Sequence, residues 1–120
     1  MKFTFLDAVT AADSISPNNF TQAQKRNWVY TLELKIRYLK SMYGETEYND
    51  SFENEDNAQL ILGSDGSDIY VYYLLSMMDM ANSDISMYNN HSAMFNSLMT
   101  DWQKKYRREH LPLKKTVIQQ

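Results

Sequence analysis

The chain has no cysteine, so neither a disulfide framework nor a thiolate metal centre is available to it. Nothing then calls for an oxidising compartment, and a reducing cytoplasm is the expectation. Long apolar runs are missing as well. No segment approaches the length of a membrane span, and the opening MKFTFLDAVTAADS has no long apolar core and carries Asp7 early, unlike a secretory signal. These absences lead us to expect a soluble protein that has no contact with a membrane. Histidine occurs only at His91 and His110, too few for a histidine metal cluster. Lysine and arginine are absent between Lys40 and Lys104, whereas Glu45, Glu47, Asp50, Glu53, Glu55, Asp56, Asp65, Asp68, Asp79 and Asp84 fall inside that interval. The net charge of -3 therefore hides a strong segregation, with basic residues at Lys25–Lys40 and Lys104–Lys115. Segregation of this kind suits copies that meet acidic flank to basic flank; the plainer account is that helix surfaces and a solvated loop simply differ.

What remains is rich in helix signals. At 120 residues one domain is expected, large enough for a core and too small for a multidomain enzyme. Thr4 with Asp7 resembles a capping box opening a helix at about 4–13, with Phe5, Leu6, Val9 and Ala12 inward. Ser16-Pro17-Asn18-Asn19 is a turn cluster. Thr21 with Gln24 is a second capping box, opening a helix at about 21–43 whose inward residues are Trp28, Leu32, Ile36 (or the stem of Lys35) and Leu39, with Val29 and Tyr43 on its flanks. Gly44 closes it.

The stretch 45–67 is dominated by acidic and amide residues and reads as a long acidic loop. Its single apolar run, 58–62, is either one short strand or a segment lying across the helices. A loop of this length within a compact domain is usually functional or mobile.

Ile69, Tyr72, Tyr73, Ser76, Met77 and Met80 recur at helical spacing over 68–81, and Ile85, Tyr88, Ser92, Phe95, Met99, Trp102 and Tyr106 do so over 84–109. Asn82-Ser83-Asp84 is the break, with Asn82 suited to a left-handed turn and Ser83 or Asp84 to a cap. So short a link makes these two helices antiparallel neighbours. The expected fold is all-α: a small four-helix bundle over 1–110, followed by a basic flexible tail over 111–120 that Pro112 separates from the last helix.

Catalytic and metal chemistry finds little support in these residues. Asp84, His91 and Ser92 suggest a triad on paper, but His91 and Ser92 are consecutive on a helix and point in different directions. Asp50, Glu53, Glu55 and Asp56 are hard oxygen ligands in one loop, yet the alternating ligand order and central glycine of a calcium loop are missing. We expect no enzyme, no metal and no cofactor. The basic run Lys104, Lys105, Arg107, Arg108 surrounds Tyr106, as a nucleic-acid contact would, but cations also complement the end of a helix dipole. Met77, Met78, Met80, Met87, Met94 and Met99 read as adaptable core or interface filler.

Apolar residues exceed the needs of one small bundle. The last helix has a second row of Met87, His91, Met94 and Leu98, and the third helix has Tyr70, Val71, Leu74, Leu75 and Met78 beyond its first row. Helices apolar over most of their circumference are either central or shared with another chain. Met87, Met94 and Leu98 are the expected subunit interface.

PNNFTQAQKRNW (17–28), DIYVYYLLSMMDMAN (68–82) and YNNHSAMFN (88–96) resemble the small head-tail connector (adaptor, head-completion) proteins of tailed bacteriophages and Gram-positive prophages. The resemblance covers most of the chain apart from 44–62 and the tail. It implies a structural virion protein, present in the host bacterial cytoplasm during assembly. Its subunits would form a ring, commonly dodecameric, below the portal vertex, extending the DNA channel and joining head to tail. The implied partners are other copies of the chain, the portal protein and tail or stopper proteins, with packaged DNA close by; a monomer in isolation is compatible with assembly on a portal template. The resemblance points to Arg107, Arg108, Lys114 and Lys115 for portal docking. It turns Asp50, Glu53, Glu55 and Asp56 toward either a neighbour's basic helix or the channel. The alternative reading is a small helical DNA-binding or regulatory phage protein.

Overall fold

The computed structural model describes residues 2–45 and 57–110. Among them are four α-helices, α1 (Phe5–Ile15), α2 (Gln22–Ser41), α3 (Ser67–Ala81) and α4 (Ile85–Glu109), with a 3-10 turn at Gly63–Gly66 leading into α3. The fold is a small all-α bundle, and both expected capping boxes are present. The Thr4 hydroxyl accepts from Asp7 N while Thr4 N donates to the Asp7 carboxylate, and Thr21 and Gln24 exchange the same pair of bonds. Each box satisfies two amides that the first turn of a helix would otherwise leave without partners.

α3 is the central element, touching α1, α2 and α4. Nine of its fifteen residues are buried, including Tyr70, Val71, Leu74, Leu75 and Met78. The second row of α3 is thus explained by centrality rather than by another chain. Met80, the last of the helically spaced row that begins at Ile69, is exposed at the far end of α3.

α4 folds back along α3, with Met99 and Tyr106 as its buried residues. Ile85 is exposed, because it occupies the first turn after the hairpin and extends past the end of its partner helix. The link itself differs in one detail from expectation. Ser83, not Asn82, takes the left-handed backbone (φ 57°), and Asp84 caps α4 by accepting from Met87 N at 3.2 Å.

In α1 the buried residues are Phe5, Ala8, Val9 and Ala12, while Leu6 faces outward, since α3 covers only one stripe. In α2 Val29, Leu32 and Ile36 are buried, and Trp28 and Leu39 pack at the margin of the core. Gly44 ends the turn after α2 with φ 94°, a conformation that favours glycine.

The expected strand at 58–62 reduces to a single antiparallel bridge between Thr4 and Gln59, flanked by Phe5 N donating to Ala58 O and Leu60 N donating to Phe3 O. Its partner is only the few residues before α1, and the Thr4 cap turns the chain into a helix before a ladder can extend. The segment still matters, because Ala58 and Leu60 enter the core.

Two polar arrangements inside the bundle escaped sequence reasoning. Lys25 is almost fully buried and places Nζ 3.1 Å from both carboxylate oxygens of Asp13, while Asn18 Nδ2 donates to the same carboxylate at 2.8 Å. The Asn18 side chain also accepts from Phe20 N, so one amide fastens the α1–α2 turn. Deeper in the bundle, Glu33 accepts from the Tyr70 hydroxyl at 2.6 Å and from Ile61 N at 2.9 Å, and Tyr70 Oη accepts from Leu62 N at 3.1 Å. Burial pushes the Glu33 carboxyl above its ordinary value of 4.5, against the opposing pull of its hydrogen bonds and of Arg37 and Lys40. Burial also raises the Tyr70 hydroxyl well above 10.0, so it stays a neutral donor.

A carboxyl whose folded pKa is raised favours folding most below its unfolded value, and that advantage is lost as pH rises through the folded value. The stability of the wild type relative to Glu33→Gln, measured by denaturant unfolding across pH, will therefore fall with increasing pH from about 4.5 upward and level off once Glu33 is ionised in the folded state. A relative stability that rises over the same interval would contradict this. Gly66 has no room for a side chain, since a Cβ there would lie 2.4 Å from Leu62 Cβ. Gly66→Ala will cost about 1–3 kcal/mol in the same assay, through overpacking at the start of α3.

Candidate functional site

Among the described residues the surface with functional promise is α4. Its inner face meets α3 through Phe95, which lies 5.2 Å from the Tyr73 ring, and through Met99. Toward its start, His91 Nδ1 sits 2.6 Å from Asp79 Oδ2 with both side chains largely buried, and the Tyr72 ring lies 5.9 Å from the imidazole. Opposite a carboxylate, Nδ1 is the protonated nitrogen, so the pair ties α3 to α4 and leaves Nε2 as the second ring position. The paper triad is not assembled: His91 pairs with Asp79 rather than Asp84, and the Ser92 hydroxyl donates to Asn89 O. Among the described residues no group of three His, Asp or Glu side chains is placed to hold a metal ion.

At its C-terminal end α4 carries a ladder of rings at positions four apart. Trp102 stacks on Tyr106 at 5.1 Å and Tyr106 on His110 at 3.9 Å. Tyr43, just past α2, meets Tyr106 edge-on at 5.1 Å, and the Tyr106 hydroxyl bonds to Glu45. Lys40 lies over the Tyr106 ring at 5.6 Å. The end of α4 is thereby fixed against the end of α2 by aromatic and charged contacts together. Tyr106 thus faces inward, and Lys104, Lys105, Arg107 and Arg108 are all exposed, as their helical spacing requires.

The expected interface residues divide. Met87 is 40% and Met94 46% exposed, and the two lie seven residues apart on one edge of α4. Leu98 instead packs against the core alongside Phe95 and Trp102 and belongs to the monomer. Arg107 and Arg108 lie exposed on the last turn, whereas Lys114 and Lys115, and the acidic set Asp50, Glu53, Glu55 and Asp56, fall outside the described residues. Sequence reasoning missed a second exposed apolar row, Leu34, Tyr38 and Met42 on α2, with Tyr38 at 68%. The signal was available, as these residues follow one another at intervals of four outside the inward row of α2. No helix is long and apolar enough to cross a membrane among the described residues.

The chain matches no family model, no curated protein and no solved structure.

The division of the methionine row predicts unequal consequences for the monomer. Met87→Ser and Met94→Ser will each change unfolding free energy by no more than about 0.5 kcal/mol, as surface substitutions do. Met99→Ala will cost about 2 kcal/mol or more by removing buried volume. Equal losses at Met94 and Met99 in thermal or denaturant unfolding would place Met94 in the core and remove it from any assembly surface.

Proposed function

We propose that the chain is a head-tail connector subunit, a structural protein of a phage virion that assembles as a ring beneath the portal vertex. The observation that carries this reading is the uncovered methionine edge of α4, apolar surface that a self-sufficient monomer of this size would have little reason to present. The resemblance of 17–28, 68–82 and 88–96 to connector proteins supports the same reading from the sequence side. In this proposal the subunit is not an enzyme, and its work is to bind other copies of itself, the portal protein and the tail or stopper proteins. Arg107 and Arg108, exposed at the end of α4, are the docking residues toward the portal, extended by Lys114 and Lys115 in the sequence beyond. Asp50, Glu53, Glu55 and Asp56 would face a neighbour's basic helix or the DNA channel, where like charge repels phosphate and lets DNA pass without adhering.

A second reading, contact with DNA by an independent regulatory protein, is favoured by the exposure of Lys104, Lys105, Arg107 and Arg108 over two turns of helix. Binding to duplex DNA that weakens steeply with added salt would select it.

The connector reading is tested by mixing the chain with its cognate portal protein and imaging the product by negative stain. Rings seated on portals are expected. The double variant Arg107→Glu, Arg108→Glu will weaken portal binding at least about tenfold, or ~1.4 kcal/mol. Absence of any portal complex at high protein concentration would overturn the reading.

A further inference from the structure

Besides the methionine edge, a second apolar surface lies on the other flank of α4. It is a groove of about 490 Å³ between α2 and α4, floored by Leu39, Phe95 and Met99 and rimmed by Leu34, Tyr38 and Gln103. Gln103 follows Met94 by nine positions, about two and a half helical turns, which puts the groove's rim and the methionine edge on opposite sides of the same helix.

We propose that this groove receives the Met87–Met94 edge of a second copy of the chain, in a head-to-tail contact. The setting rests on the connector reading, whereas the contact itself needs only two copies. Two unlike surfaces on opposite flanks do not pair by twofold symmetry with themselves. They generate a heterologous interface that repeats, and a rotation that closes turns the repeat into a ring. Methionine is unbranched and adaptable, so it fits an open groove whose floor is already set by Phe95 and Met99.

Charge agrees with this pairing. Lys35 lines the groove and is exposed, and no lysine or arginine occurs from Ile85 to Gln103 on the opposing helix. The methionine edge is instead bracketed by exposed Asp84, three residues before Met87, and exposed Asp101, seven after Met94. Juxtaposing Lys35 of one copy with Asp101 or Asp84 of the next sets register and disfavours the reversed orientation.

The absence of cysteine makes the contact directly testable. A chain carrying both Tyr38→Cys and Met94→Cys, with helix content checked by circular dichroism, is oxidised in two settings: alone at high concentration, and together with the cognate portal protein. A ladder of dimers, trimers and higher species is expected from the double variant in at least one setting, with neither single variant cross-linking. Adding Lys35→Glu or Asp101→Lys singly should reduce the ladder several-fold, and adding both should restore it. Dimers from Met94→Cys alone would mean a twofold contact and overturn the proposal. So would the lack of a ladder in both settings, including the case in which stained rings still sit on portals, where the connector reading stands and this pairing fails. A ladder without portal binding gives the opposite outcome.

Discussion

Glu33 carries a carboxyl group deep into a largely apolar bundle, and the arrangement of three separate segments follows from satisfying it. One oxygen is met by the Tyr70 hydroxyl of the central helix and the other by the Ile61 amide of the segment that precedes it. Tyr70 then uses its own oxygen to accept from Leu62 N, so α2, α3 and the 57–62 segment are registered by a single chain of bonds. Desolvating such a group without partners would cost several times what each bond contributes on balance. The network therefore acts as a selector among packings: a slip of α3 by one residue would leave a buried carboxyl and a buried phenol unmatched. Apolar burial along α3 supplies the bulk of the driving force, and Glu33 specifies which of the possible arrangements receives it.

α4 stands in contrast to α3. One helix is surrounded and the other is held from one side, and its attachments are unevenly distributed, with the His91–Asp79 pair toward its start and the Trp102–Tyr106–His110 ladder at its end. The ladder lets a helix tip rich in lysine and arginine keep a fixed position. Its rings face inward onto Tyr43 and Lys40, and its cations are left outside. A rigid presentation of charge lowers the entropy lost when such a surface docks on anything else.

Much of the bundle was legible in the sequence because its signals are local. Thr4–Asp7 and Thr21–Gln24 define their helix starts within four residues, and the Asn82–Asp84 break needs no knowledge of the rest of the chain. The inner row of α4 followed from spacing, apart from Ile85, whose exposure depends on where the partner helix stops. Residues that pair across distance were not legible. Glu33 and Lys25 look like ordinary surface charges on an amphipathic helix until Tyr70 and Asp13 are brought to them, and Asp79 is twelve residues from His91 with a turn between. On α4, Met87 and Met94 could be separated from the core by helical phase, while Leu98, one step nearer the inner row, could not. Leu34, Tyr38 and Met42 share the four-residue spacing of an inward stripe, and only the position of α4 shows that they lie outside the core.

Ser83 carries a further consequence. A non-glycine residue held at φ 57° stores on the order of 1–2 kcal/mol of backbone strain, and it does so at the end of the hairpin where Met80 and Ile85 are exposed and little packing compensates. The opposite end is secured by Met99, Tyr106 and the ring ladder. Local unfolding within the α3–α4 hairpin is therefore polarised: the turn at 82–84 and the first turn of α4 yield first, and the basic tip yields only when the α3–α4 packing is lost.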